Sequence, residues 1–272
     1  MAHEATVAPR LFGPDGATAQ ISPVQQWWTL TGRGLRKVVR NGEIVLAFLS
    51  PALLALCFYL PLRKIMNAQM DMNYAQYLMP IIFLQSLEFT ASSAAMRSSF
   101  DGSEGVNTRF RAMPMRPAVP LLARTATNAV LLTVSLVCAT VATLIMGWRP
   151  GGGVTGTLAL YGIGALIGLL LATVADGIGL IAGSPQATSQ TMGLPTLILG
   201  MLSTGFVPEE RFPEWIRPFA RNQPISQFAG VMRSADDGTL TWHQLFPSVC
   251  WMIGLAVVAA ILLGIYMRRN AR

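Results

Sequence analysis

Apolar residues come in long blocks along this chain, separated by short polar stretches. Residues 125–148 and 238–267 contain no Asp, Glu, Lys or Arg, and residues 150–208 contain only Asp176. About 20 apolar residues cross a bilayer as a helix, so runs of this length predict transmembrane helices. Six spans are predicted: Ile44 to Leu62, Tyr77 to Met96, Thr125 to Trp148, Thr157 to Ala182, Thr191 to Phe206 and Leu245 to Met267. The fifth is short. The predicted class is an all-α polytopic membrane protein.

Two segments precede the first span. Residues 1–21 lack an apolar core and contain Pro9, Gly13, Pro14 and Gly16, so they read as a disordered cytoplasmic tail and not as a secretory signal. Residues 22–42 read as an amphipathic helix in the headgroup plane, and residues 43–272 as the transmembrane domain. Ser22, Pro23 and Gln25 form a capping-box start. Val24, Trp27, Trp28, Leu35, Val38 and Val39 supply an apolar side, and Arg33, Arg36, Lys37 and Arg40 a basic one. Tryptophan beside Lys and Arg on such a helix marks the membrane interface. Asn41-Gly42 predicts a break before the first span.

Composition sharpens this picture. Hydrophobic residues are 52% of the chain and charged residues 12%, against about 25% in a soluble domain. That excludes a soluble enzyme, a nucleic-acid binder and a disordered scaffold. The net charge of +7 is distributed unevenly: one side of the predicted topology holds 13 of the Lys and Arg residues and the other 7. The positive-inside rule then predicts both termini in the cytoplasm, with the chain in the cytoplasmic (inner) membrane. Cys57, Cys138 and Cys250 all lie in apolar runs, and His3 and His243 lie far apart. Neither a disulfide framework nor a metal site is predicted.

Two loops carry more than a connection needs. The inner loop, Arg97 to Arg124, has room for two turns of helix over Val106 to Met113, carrying Asn107, Arg109, Phe110 and Arg111. Pro114, Pro117 and Pro120 argue against a long helix after it. Such a stretch reads as a docking surface for a cytoplasmic partner. The outer loop, Phe206 to Arg233, places Phe212, Trp215, Ile216, Phe219 and Phe228 among charges, and Pro208, Pro213, Pro218 and Pro224 cut it into short pieces. These predict short re-entrant helices, whose backbone must be buried in protein or line a cavity. In the fourth span, Gly164-x-x-x-Gly168 and Gly179-x-x-x-Gly183 allow close helix contact, within the chain or with a second chain.

No phosphate-binding loop occurs, and the only lysines, Lys37 and Lys64, do not follow glycine. No catalytic motif is present, so no catalytic residue is assigned. Glu88 and Asp176 lie inside spans, where an acid signals function by default. No intramembrane Lys, Arg or His offers a partner, and Asp176 is read as hydrated near the inner surface. A proton-coupled secondary transporter using Glu88 is the alternative reading.

The segments GVNTRFRAMPMRPAVPLLAR (Gly105–Arg124) and LSTGFVPEERFPEWIRPFARNQPISQFAGVMR (Leu202–Arg233) resemble the inner coupling and outer signature segments of a type-2 ABC transporter permease. The subfamily resembled is the daunorubicin-resistance (DrrB-like) one. Asn222-Gln223-Pro224-Ile225-Ser226 stands where the commoner core is Asn-Pro, an insertion similar to the mycobacterial lipid-export branch. The resemblance implies an ATP-driven exporter of a lipid or amphiphilic drug, such as a phthiocerol dimycocerosate-like lipid or an anthracycline. It implies ATP and Mg on separate cytoplasmic ATPase subunits, no cofactor on this chain, and a second permease, sister or self. Coupling then maps onto Val106, Asn107, Arg109, Phe110, Arg111 and Met113, and on the interfacial helix onto Trp27, Trp28, Arg36 and Lys37. An apolar path is expected along Phe83, Leu87, Glu88, Leu197, Met201 and Phe206. Its outer gate is expected at Phe212, Trp215, Phe219, Asn222 and Pro224.

Overall fold

A computed structural model of the chain describes residues 22–271 except 71, 72, 114, 117 and 207, and the tail assigned to residues 1–21 lies outside the described residues. The helices are α1 (Pro23–Arg40), α2 (Glu43–Met70), α3 (Tyr74–Ser103), α4 (Val106–Arg111), α5 (Ala118–Met146), α6 (Gly153–Ile181), α7 (Pro185–Met201), α8 (Arg217–Asn222), α9 (Pro224–Asp236) and α10 (Trp242–Ala271). Five of them, α2, α3, α5, α6 and α10, are long and apolar enough to cross a membrane. The chain is a multi-pass membrane protein. At 17 residues α7 falls short of the other five.

Local chemistry sets the helix ends. Ser22 and Gln25 form the reciprocal cap of α1, and Gly42 takes a positive φ of 71° at the break before α2. Several boundaries differ from the sequence expectation, among them the ends of α2 at Met70, α4 at Arg111 and α7 at Met201, and three more have a local cause. The helix of the second span continues past Arg97 to Ser103, because nothing stops it before Gly105 at φ 68°. Helix α5 begins at Ala118, so Pro120 lies in its first turn, where the missing N–H has no intrahelical partner to lose. Helix α7 starts at Pro185, capped by Ser184, whose side chain accepts from Ala187 N.

Helix α3 is the axis of the bundle. It is buried on nearly every side, whereas α2 and α10 expose most of their apolar surface. Phe83 and Leu87 of α3 pack with Leu132 of α5, Ile167 of α6 and Met232 of α9 in one core cluster. Glycines on α6 bring the backbones together: a Cβ on Gly168 would collide with Leu87 and Leu132, and one on Gly179 with the Ala95 backbone. These contacts lie within the chain. Gly183 does something else, taking φ 74° where α6 ends.

Helix α9 is clamped to the far end of α6. Gly152 and Gly156 lie under the Ala235 carbonyl, where a Cβ on Gly156 would come within 2.5 Å of that oxygen. Next to it the Asp236 carboxylate accepts from Trp148 Nε1 at 2.9 Å and Gln76 Nε2 at 2.5 Å. Burial pushes the Asp236 carboxyl above the usual carboxylate range, and those two donors pull it back in part. Arg233 sits 4.1 Å over the Tyr77 ring and donates to the Tyr77 carbonyl. After α7 the chain meets the same end, where Tyr77 Oη donates to the Thr204 carbonyl at 2.6 Å and Phe206 lies 4.5 Å from Phe58.

The Gly156 contact yields a stability test. A valine there must push α9 off α6, and overpacking of this kind costs about 1–3 kcal/mol. Gly156→Val is expected to lower the melting temperature of the detergent-solubilised protein, read by intrinsic fluorescence; an unchanged melt would mean that α9 is not held by this approach.

Candidate functional site

At the opposite end of the bundle the polar residues of four long helices, α2, α3, α5 and α6, converge with those of α1 and α4. Asp176 of α6 is buried, and its carboxylate accepts from Ser98 Oγ at 2.5 Å and Asn128 Nδ2 at 2.6 Å. Arg97 bridges outward from there, donating to Asn128 Oδ1 at 2.6 Å and pairing with Glu43 of α2. Arg124 of α5 donates to Ser98 Oγ at 2.8 Å, to Asn107 Oδ1 of α4 at 2.8 Å and to Asp101 at 3.2 Å. Lys37 of α1 holds the other oxygen of Asp101 at 3.0 Å. Three cations meet three carboxylates in one connected network.

The network corrects the sequence reading of Asp176. That reading left it without a basic partner and solvated by water. Arg124 reaches it through the shared Ser98 hydroxyl and Arg97 through the shared Asn128 amide. Both arginines stand on helices that run past their expected ends, which is why a loop assignment concealed them. Asn128, a lone amide in an apolar run, was the sequence signal that went unused.

Helix α4 hangs from this knot. Val106 is buried and Asn107 is held by Arg124, while Arg109 and Met113 are exposed. Phe110 is half-buried beneath the Arg33 guanidinium of α1, 5.4 Å from the ring centre. The Arg111 side chain lies outside the described residues. On α1, Lys37 turns inward to Asp101, Arg36 is exposed, Trp27 is half-buried and Trp28 is 70% exposed. The expected coupling residues and interfacial residues are thus brought together at one end.

The expected path residues divide. Phe83 and Leu87 are fully buried inside the chain, Phe83 edge-on to Trp148 and Tyr161 and Leu87 against Gly168. Leu197 and Met201 are exposed on α7, and Phe206 is buried beside Phe58. Glu88 lies one heptad after Ile81, which meets Gly205, and one before Ala95, in the cluster on which Met192 packs. It therefore occupies the α7-facing side of α3. Its Oε1 is buried without a hydrogen-bond partner among the described residues. At the other end, Trp215 and Phe219 are exposed and Phe212 is half-buried. Asn222 ends α8, its carbonyl accepting from Trp251 Nε1 at 3.1 Å, and Pro224 opens α9.

These features define a class. Five membrane-crossing helices, joined at one end by a polar network from which α1 and α4 hang, make this a polytopic α-helical membrane protein. Among the described residues no group of three or more His, Cys, Asp or Glu could hold a metal. Residues 25–235 match the ABC-2 type transporter family, and the chain belongs to it. It is a permease subunit of an ABC-type exporter, and these 272 residues carry no ATPase domain. It is 33% identical over 280 aligned positions, 95% of each chain, to the doxorubicin resistance ABC transporter permease protein DrrB of Mycobacterium tuberculosis. The probable doxorubicin resistance ABC transporter permease protein DrrC of that organism is 25% identical over 71% of this chain and 69% of its own. The daunorubicin resistance ABC transporter permease protein DrrB1 of Streptomyces coeruleorubidus is 24% identical over 73% of this chain and 71% of its own.

Removing one member of a buried charge network strands the others, at a cost of about 3–5 kcal/mol. Asp176→Ala is therefore expected to destabilise the folded permease by that order, measured by thermal aggregation in detergent. Asp176→Asn, which keeps the hydrogen-bonding shape, should cost less. Equal melting of wild type and Asp176→Ala would show that the knot carries no stability.

Proposed function

We propose that this chain forms half of the membrane pathway of an exporter for a lipid or an amphiphilic drug, paired with a second permease and powered by cytoplasmic ATPase subunits that bind ATP and Mg. The attachment of α4 to the buried knot carries this reading. Force applied to Phe110 reaches α5 through Asn107 and Arg124, and α1 through Arg33. Helix α4 acts as the coupling helix, with Val106, Asn107, Arg109, Phe110, Arg111 and Met113 as its docking surface. Helix α1 lies in the inner headgroup plane, its exposed Val24, Trp28 and Val39 turned to lipid.

In this reading the chain crosses six times and α7 is the fifth span. Met192 beside the Ala91–Ala95–Ala175 cluster and Gly205 beside Ile81 support a crossing, since those partners lie well apart along α3. Both termini are then cytoplasmic, in keeping with the basic residues. The short helices α8 and α9 form the re-entrant outer segment. The substrate path runs along the exposed face of α7, with Leu197 and Met201, past Glu88 to Phe206. Phe212, Trp215, Phe219, Asn222 and Pro224 close it outward. Phe83 and Leu87 support that wall from inside the chain. The drug names carried by the relatives favour an amphiphilic drug, and the mycobacterial likeness leaves a long-chain lipid equally open to assay.

The orientation can be read directly. In a variant lacking native cysteines, a cysteine at Glu210 is expected to react with an impermeant maleimide added outside, and one at Arg109 to be spared. The reverse labelling would overturn the topology and the coupling role with it.

The coupling role has its own test. A buried interface aromatic is worth about 2 kcal/mol or more, roughly a thirtyfold change in affinity. Phe110→Ala is expected to weaken ATPase co-purification by about that factor, or to uncouple hydrolysis from export, with insertion unchanged. Normal assembly together with normal export would remove α4 from the mechanism.

A further inference from the structure

Between α1, α4 and the start of α5 lies an open cleft, its walls formed by Leu30 and Phe110, its rim by Arg33, and its floor by Lys37, Asp101 and Arg124. The floor is internally neutralised. Asp101 is bracketed by Lys37 at 3.0 Å and Arg124 at 3.2 Å, Arg97 is taken by Glu43, and Asp176 is satisfied by Ser98 and Asn128. Arg33 is the cation left over. It is exposed, and among the described residues no carboxylate lies within 4 Å of it. Its guanidinium carbon lies 5.4 Å from the Phe110 ring centre, and among the described residues its N–H groups make no hydrogen bond.

We propose that this cleft binds the phosphodiester headgroup of an anionic phospholipid from the inner leaflet. A phosphodiester carries a single negative charge, matching the single surplus cation. The Arg33 fork has the geometry to take two phosphate oxygens at once, and Lys37 stands behind it. Leu30, Phe110 and Pro120 offer apolar surface to the glycerol and the first chain carbons. Basic pockets at the cytoplasmic face of transmembrane bundles suit such headgroups, because that leaflet is the anionic one. An acidic side chain of a protein partner would satisfy the charge but leave Leu30 and Pro120, which lie outside the proposed docking surface, without an occupant. The bound lipid would tie α1 to α4 across the cleft, making coupling sensitive to leaflet composition. This inference rests on the cytoplasmic orientation proposed above.

The test uses the assembled permease–ATPase complex in nanodiscs of phosphatidylcholine with and without phosphatidylglycerol, extracted into detergent and examined by native mass spectrometry. Phosphatidylglycerol is expected to remain bound in preference to phosphatidylcholine. Arg33→Gln is expected to cut that retention about tenfold and Arg33→Lys to restore part of it, with ATPase still attached in both. Millimolar inorganic phosphate should not displace the lipid. Equal retention of the two lipids by wild type, or undiminished phosphatidylglycerol on Arg33→Gln, overturns the proposal. Displacement by phosphate overturns the lipid as source and assigns the site to a free anion. Loss of the ATPase from Arg33→Gln with phosphatidylglycerol still bound assigns the cleft to the protein partner instead. The maleimide labelling at position 109 reads orientation separately, so a negative lipid result on a chain of the expected topology counts against the cleft alone.

Discussion

The burial of Asp176 is the constraint around which one end of this permease is arranged. An ion taken out of water costs several kcal/mol even after relaxation, and it survives only where hydrogen bonds and opposite charge replace the lost solvent. Ser98 and Asn128 supply the hydrogen bonds, and each is in turn held by an arginine. That arrangement requires α3, α5 and α6 to stand in one register. Once they do, the outer ends of the two arginines are available to Glu43, Asp101 and Asn107, which fixes α2 and α4 to the same point. Lys37 on Asp101 adds α1. Six helices therefore share one polar joint.

The opposite end is held differently. There glycines allow backbones to touch, with Gly152 and Gly156 under Ala235, and the polar contacts gather on Asp236 and Tyr77. Close packing of this kind is stiff against small displacements but carries no connected charge. Helices α7 and α10 belong to neither joint. Most of α7 is exposed, and of α10 only positions such as Met252 and Ala259 are buried. The bundle thus has a rigid centre of α3, α5 and α6, and three helices, α2, α7 and α10, with unclaimed apolar faces. In a membrane such faces meet lipid or another chain.

Much of this was legible in the sequence, because hydropathy and charge are one-dimensional signals. The apolar runs located all five long helices, and Ser22, Pro23 and Gln25 located the start of α1. Helix ends near charges were not legible. Arg97 and Arg124 look like the boundaries of spans, since charge normally ends a hydrophobic run. In the folded chain they lie within helices and turn inward, because partners from other helices solvate them. Pro120 misled for a related reason, as proline breaks a helix interior but is accommodated in a first turn. The site divided along the same line. The grouping of α1 with α4 follows from sequence spacing and composition. The partners of Asp176 are a tertiary fact, divided between α3 and α5, with only Asn128 standing out from its surroundings.

The two connections of α4 differ in kind, and this bears on how a push would travel. Asn107 to Arg124 is a directional hydrogen bond to a side chain that is itself held on Ser98 and Asp101. It transmits both tension and compression into α5 and α3. Phe110 to Arg33 is a cation–ring contact, less directional than a hydrogen bond and so more tolerant of displacement. In the coupling role proposed for α4, displacement across the Arg33 contact would shear past α1, whereas displacement along the Asn107–Arg124 bond would load the buried joint. Coupling of that kind has to respond to the second motion without being dislodged by the first. The pairing of one stiff link with one compliant link, on residues three apart in a six-residue helix, gives that asymmetry.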